Sequence, residues 1–385
     1  MRRLGLILSI VAIFAVPAGT TAGEPVTRMV DADGRAAVGD CDAGRETYRG
    51  IQEAVDDSGP GDRVLVCSGR YRSFAVEGHR KDGLIVQAVE RWRAIVEGAP
   101  SRAPRTFVKV RRAEKVTIAG LRIRPAGVSC LVTGITFELA TGTIQDNRIE
   151  PASSQPECAS LVGISVFAAL DAGGPTDVIG NVVRGSVMIS APLAESGWDG
   201  RPWRVSVAGN IVQQDWAEWE SFVIHVDNHP RVAISDNVVL STAYVLGIFT
   251  EAPSTKIRRN TIIGTSVGIG IVGSGSGIVA GNDVRHGGMG LVLHTNRAVE
   301  VRRNSVHDNI DEGIFVREGR GRVEAHLDRD NDFRGNGGVD CIDVRAAKVP
   351  VGRRTDGDGT SATSRRRTVS AGPLRSQSQA ASMGR

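Results

Sequence analysis

Seven asparagines recur through the middle of the chain in the same surroundings, with Ile or Val three residues before and two residues after. They are Asn147, Asn181, Asn210, Asn237, Asn260, Asn282 and Asn304, separated by 34, 29, 27, 23, 22 and 22 residues. A period that settles at 22 residues marks a solenoid, in which one coil cannot bury its own apolar face and must stack on the next. Alternation of apolar residues about each Asn has the period of short strands, not of helices. At 385 residues the chain could hold two or three globular domains, and the repeat decides for one long array. Gly is frequent (47) and aromatic residues are scarce (4%), as many short strands joined by tight turns require.

The coils align on their asparagines. Counting back 13 and 11 residues from Asn304 gives Leu291 and Leu293, and the same count gives Ile269/Ile271 and Ile224/Val226 in earlier coils. Ile135/Phe137, Ile164/Val166, Val187/Ile189, Ile248/Thr250 and Ile314/Val316 fall in register with small adjustments. In the coil before Asn147, Leu121 occupies the Asn slot. Gly134, Gly163, Gly247, Gly268, Gly290 and Gly313 precede these strands, where a tight turn with positive φ is expected. One parallel strand per coil implies crossovers, which are right-handed in nearly all cases. The fold class is therefore all-β, a right-handed single-stranded parallel β-helix of about ten coils. Its asparagines should stack at a turn, their amides bonded from coil to coil. Residues 46–57 carry a short amphipathic helix pattern with Tyr48, Ile51 and Val55 on one face, placed to cap the open end of the array.

The stretch Tyr48-Arg-Gly-Ile-Gln-Glu-Ala-Val-Asp-Asp-Ser-Gly-Pro-Gly-Asp-Arg-Val-Leu-Val-Cys-Ser-Gly-Arg-Tyr71 resembles the opening of pectate-lyase-like right-handed β-helix proteins. The repeats resemble those of the same superfamily, which includes polysaccharide lyases, polygalacturonases, mannuronan epimerases and NosD-type periplasmic accessory proteins. The likeness covers about residues 46–345 and implies a protein that acts on carbohydrate. The catalytic signatures of the polygalacturonases (Asn-Thr-Asp, Gly-His-Gly, Arg-Ile-Lys) and of the epimerases (Asp-Pro-His-Asp) are absent, so no catalytic role carries over from these families.

The ends of the chain differ from the array. Arg2 and Arg3 precede a short apolar run and then small residues, so residues 1–22 are expected to be a signal peptide and the protein secreted or periplasmic. Residues 23–45 are expected to be a linker, 46–345 the β-helix and 346–385 a disordered basic tail. That tail carries eight Lys/Arg against two Asp; without it and the signal, 37 basic and 41 acidic residues remain. The body thus offers no charge argument for nucleic-acid binding. Five cysteines suit an oxidising compartment, and Cys41–Cys67 and Cys130–Cys158 are the expected pairs, leaving Cys341 over.

Positions between the buried residues of each strand face outward and form two columns. One reads Thr136, Ser165, Met188, His225, Phe249, Gly270, Val292, Phe315; the other reads Glu138, Phe167, Ser190, Asp227, Glu251, Val272, His294, Arg317. Asp227 and Glu251 are the candidate acid/base pair or cation ligands. His225 or His294 is the candidate proton-transfer partner, and Arg317 the contact to a substrate carboxylate. Trp198, Trp203, Trp216 and Trp219 lie within 22 residues in loops flanking the same strands, and with His229 they are the candidate sugar-binding residues. The segment Asp328-Arg-Asp-Asn-Asp332 alternates carboxylates as Ca2+ loops do but lacks their Gly and terminal Glu, so Ca2+ is the one cofactor the residues suggest, with no metal ligand assigned. The expected partner is a polysaccharide, bound by a monomer without a transmembrane segment. Other functions that fit are a non-catalytic binding or adhesin-like solenoid and an accessory protein of NosD type.

Overall fold

In the computed structural model, residues 24–32, 41, 47–98, 106–124, 131–150, 160–167, 174–190, 204–215, 221–227, 231–273, 275–295, 297–316, 325–327, 330–338 and 341–342 are described. The expected signal peptide and basic tail lie outside them, as do Cys130 and Cys158.

Three parallel sheets run the length of the array. Sheet one has 12 strands, from Thr27–Val30 to Ala325–Leu327. Sheet two has 11, from Phe74–Glu77 to Cys341–Ile342, and sheet three has 10, from Gly69–Tyr71 to Ser305–His307. One coil shows the order: Arg231–Ser235 in sheet one, Val238–Ser241 in sheet three, Leu246–Thr250 in sheet two, then Thr255–Arg258 back in sheet one. The chain is a right-handed parallel β-helix. Its interior is filled by stacked branched side chains such as Ile224, Ile248, Ile269 and Leu291, all about 1% exposed or less. Sheet one begins earlier than expected: Thr27–Val30, within the segment read as a linker, pairs in parallel with Arg63–Val66. The helix Ile51–Asp56 buries Ile51, Ala54 and Val55 against the first strands, and the Cys41–Cys67 disulfide ties the same end.

The asparagines form one continuous ladder. Asn260 Oδ1 accepts from the backbone N–H of Asn237 (3.0 Å) and from its side-chain amide (2.9 Å). Asn260 Nδ2 donates to Ile234 O (3.0 Å) and to Asn282 Oδ1 (2.9 Å). The pattern repeats from Asn147 to Asn304 and ends on Asn331, whose Oδ1 takes the amide of Asn304 at 2.9 Å. At the other end the Leu121 N–H donates to Asn147 Oδ1 (3.0 Å), and leucine adds no further rung. Asn331 lies in the segment whose carboxylates suggested a Ca2+ loop, and its amide serves as the last rung. A second, shorter ladder joins Asn309 to Asn336 (3.0 Å).

The turn before each ladder residue needs left-handed backbone. Asp146, Gly180, Gly209, Asp236, Arg259, Gly281 and Arg303, each directly preceding its Asn, have φ between 52° and 65°. The glycines before the sheet-two strands have a different cause from the one expected, since Gly134, Gly163, Gly247, Gly268 and Gly290 are not in the positive-φ region. They are required by close approach: a Cβ on Gly268 would lie 2.1 Å from Val284 Cγ1 and 2.7 Å from Gly290 O. The inward side chain of sheet three fills the volume that a side chain there would need.

Replacing Asn260 with Ala leaves the buried donors of Asn237 and the carbonyl of Ile234 without partners. Each such loss costs about 1–3 kcal/mol, so we expect at least about 3 kcal/mol in all, read as a lower denaturant midpoint. An unchanged midpoint would show that the ladder does not hold the coils.

Candidate functional site

Sheet two carries both outward columns as one surface. The register pairs Thr136 with Ser165, Ser165 with Met188, Met188 with His225, His225 with Phe249, Phe249 with Gly270, Gly270 with Val292, and Val292 with Phe315. In the second column Glu138 faces Phe167, Phe167 faces Ser190, Ser190 faces Asp227, and Val272 faces His294. Val226 pairs with Thr250, and the Glu251 N–H donates to Val226 O, so Glu251 follows directly on Asp227 in the next coil. Strand spacing in a sheet then puts their backbones about 4.8 Å apart.

His225 lies beside this pair, half-buried on the Phe222–Asp227 strand. Burial pushes its imidazole below the ordinary 6.5 and outweighs the pull of Asp227 and Glu251 in the opposite direction. The ring is therefore neutral at neutral pH and able to accept a proton. Phe222 stacks on it at 4.2 Å between centroids and 16° between planes. Phe249, one coil on, lies 5.1 Å from Phe222 and 5.9 Å from His225. Its ring extends over Gly270, where a Cβ would stand 2.6 Å from Phe249 Cδ2. Asp227 Oδ1 is buried and has no hydrogen-bond partner among the described residues. A polar atom so placed is costly unless a ligand or solvent supplies the missing bond.

The other expected site residues divide. His294 is exposed and two coils past Glu251, with Val272 between them, so it stands apart from the His225–Asp227–Glu251 group. Trp198, Trp203, Trp216, Trp219, His229 and Arg317 lie outside the described residues. Phe222 and Phe249 were not among the expected site residues; their signal was two aromatic residues about one coil apart on an aromatic-poor chain. At the N-terminal end of the column Lys109 (2.8 Å) and Arg111 (3.3 Å) pair with Glu138. The Lys109 bond is the main cause holding the Glu138 carboxyl below the usual range. Among the described residues no group of three or more His, Cys, Asp or Glu side chains is arranged to hold a metal ion. Among them also, no helix is long and apolar enough to cross a membrane.

A right-handed β-helix family model matches residues 206–349. Among solved structures, a polysaccharide lyase of the PL6 family from Pseudopedobacter saltans is 16% identical, with a TM-score of 0.45 and 75% of each chain covered. The A-module of a mannuronan C-5 epimerase from Azotobacter vinelandii is 13% identical (TM-score 0.38), with 78% of this chain and 94% of that chain covered. An alginate lyase from Paenibacillus sp. is 12% identical (TM-score 0.38), with 84% of this chain and 99% of that chain covered. No curated protein matches the chain.

The depressed imidazole gives a pH test. Unfolded, His225 takes up a proton near 6.5, whereas in the fold it resists until lower pH. Falling pH therefore favours the unfolded chain progressively below about 6.5, and above that the residue contributes nothing. Thermal midpoints recorded from about pH 8 to about pH 5 should show wild type losing stability relative to His225→Asn as pH falls. Parallel curves would contradict the assignment.

Proposed function

We propose that the outward face of sheet two binds a polysaccharide and cleaves it at Asp227 and Glu251. The observation that carries this reading is the meeting, on adjacent coils of an open face, of two carboxyl side chains, a neutral imidazole and an aromatic shelf. Glycosidic bonds are broken by carboxyl pairs, one protonating the leaving oxygen while the other attacks or activates water; attack by the second carboxylate needs a separation of about 5–5.5 Å. The coil spacing of about 4.8 Å supports that separation. His225, whose ring feels the charge of both carboxyls, would be the proton-transfer partner. Phe222 and Phe249 offer flat apolar faces to a sugar ring, and Trp198, Trp203, Trp216 and Trp219 are near these strands in sequence. Charge favours hydrolysis of a neutral chain over elimination from a uronate. A uronate carboxylate would meet two carboxylates here and would need a cation such as Ca2+ between them.

The test is incubation with a panel of neutral and uronate polysaccharides, with Ca2+ and with chelator, following new reducing ends and the absorbance of unsaturated uronate. Wild type should release reducing ends from a neutral polymer. Asp227→Ala and Glu251→Ala should each lower that rate by about 10²–10⁴. Cleavage by Asp227→Ala at the wild-type rate would remove the site from the reaction. Binding without cleavage, lost in Phe249→Ala, would instead support a purely binding solenoid.

A further inference from the structure

Sheet three presents a face of the opposite character. Its outward positions near the N-terminal end are rich in arginine, with Arg70, Arg122, Arg124, Arg148 and Arg184 set against Glu97 and Glu150. Glu97 pairs in register with Arg124, Ile123 with Ile149, and Ile149 with Val183, so Arg124, Glu150 and Arg184 follow one another on three successive coils. Glu150 is already satisfied: Arg122 Nε bonds Oε1 at 2.8 Å and Arg148 Nε bonds Oε2 at 2.7 Å. Burial raises the Glu150 carboxyl, and the two guanidinium bonds outweigh it and hold the group below the usual range. Glu97 is likewise occupied, by Arg70 at 2.9 Å. Arg122 and Arg148 thus share the Glu150 carboxylate, and Arg124 and Arg184 stand one coil to either side of it. Among the described residues neither Arg124 nor Arg184 has an ion-pair partner, and Arg124 Nε is buried without a hydrogen bond. Beside Glu150 and Arg184 the surface sinks into a cleft of about 250 Å³ whose floor includes Val182 and Ile211, the latter 44% exposed. Gln213 closes the far side, its amide bonded to Asp215 at 2.9 Å.

We propose that this cleft is a second binding site, for a carboxylate-bearing polysaccharide. Guanidinium groups recognise carboxylates by paired N–H donors, and the apolar floor suits the non-polar face of a sugar ring. Arg184 lines the cleft, and Arg124 stands outside it, two coils or about 9.6 Å away along the axis of the array. That spacing suits charges repeated along a polymer and leaves a lone anion in contact with only one of them. The site is separate from the carboxyl pair of sheet two and does not depend on catalysis there. It would hold the protein on an acidic polymer while the other face works on a neutral one.

The test is affinity electrophoresis of the full chain in gels containing polygalacturonate, alginate or a neutral glucan, with duplex DNA as a second polyanion. Wild type should be retarded by the uronates, and any retardation by the glucan, which would belong to sheet two, should be the same in wild type and in the Arg184 variants. Arg184→Gln should weaken retardation by about 10-fold, as loss of a charged hydrogen bond does, and Arg184→Glu should abolish it, with thermal midpoints unchanged. Asp227→Asn should be retarded like wild type, which separates this face from the proposed catalytic one. Equal retardation of wild type and Arg184→Glu would overturn the proposal. Retardation by DNA as strong as by the uronates would also overturn it, by showing attraction to any polyanion. A shift with galacturonate monomer as large as with the polymer would reduce the site to a single-anion pocket and contradict the polymer reading.

Discussion

The amide of each ladder asparagine ties three coils. Asn260 accepts from Asn237 on one side and donates to Asn282 on the other, while its Nδ2 also takes up the Ile234 carbonyl. These groups are buried, where an unpaired donor or acceptor is expensive, so a slip of one coil by one residue would break its bonds to the rungs on both sides. The ladder therefore fixes register as well as height. The left-handed residue before each Asn turns the chain so that its amide points along the axis. The stacked Val and Ile of the interior supply most of the burial, and being similar along the array they select register less sharply than the amides do.

Fixed register turns sequence spacing into surface. Inward positions are committed to branched apolar side chains, and outward ones are free to vary. On sheet two the free positions gather Asp227, Glu251 and His225 beside Phe222 and Phe249. On sheet three they gather Arg122, Arg124, Arg148 and Arg184 about Glu150. The two faces of one stack thus carry opposite charge within a body that is close to neutral in sum. A rigid array keeps such faces apart, because each coil contacts only its neighbours.

Most of the array was legible in the sequence because its period is short and its flanks are apolar. The pairing of Ile224 with Ile248 and of Leu291 with Ile314 follows from counting between asparagines. Asn331 escaped the count because Asp328 and Phe333 stand where Ile or Val flanks every other rung. The role of Gly268 escaped for another reason. A glycine required by left-handed backbone and one required by a neighbour's methyl group read alike in a sequence, and only packing tells them apart. Asp227 and Glu251 could be placed by register alone. The depression of His225 could not, since it depends on Phe222 and Phe249 closing over the ring.

The most direct test of the account is whether the residues at 227 and 251 are neighbours across one coil step. Cysteines at both positions, introduced as Asp227→Cys with Glu251→Cys, should have Cα atoms about 4.8 Å apart, within the range a disulfide spans. Mild oxidation of the folded protein should join them, as peptide mapping by mass spectrometry would show. Asp227→Cys with Val272→Cys, two coils apart at about 9.6 Å, should stay reduced. Failure of the first pair to close, or equal closure of both, would contradict the stacking on which both proposed sites depend.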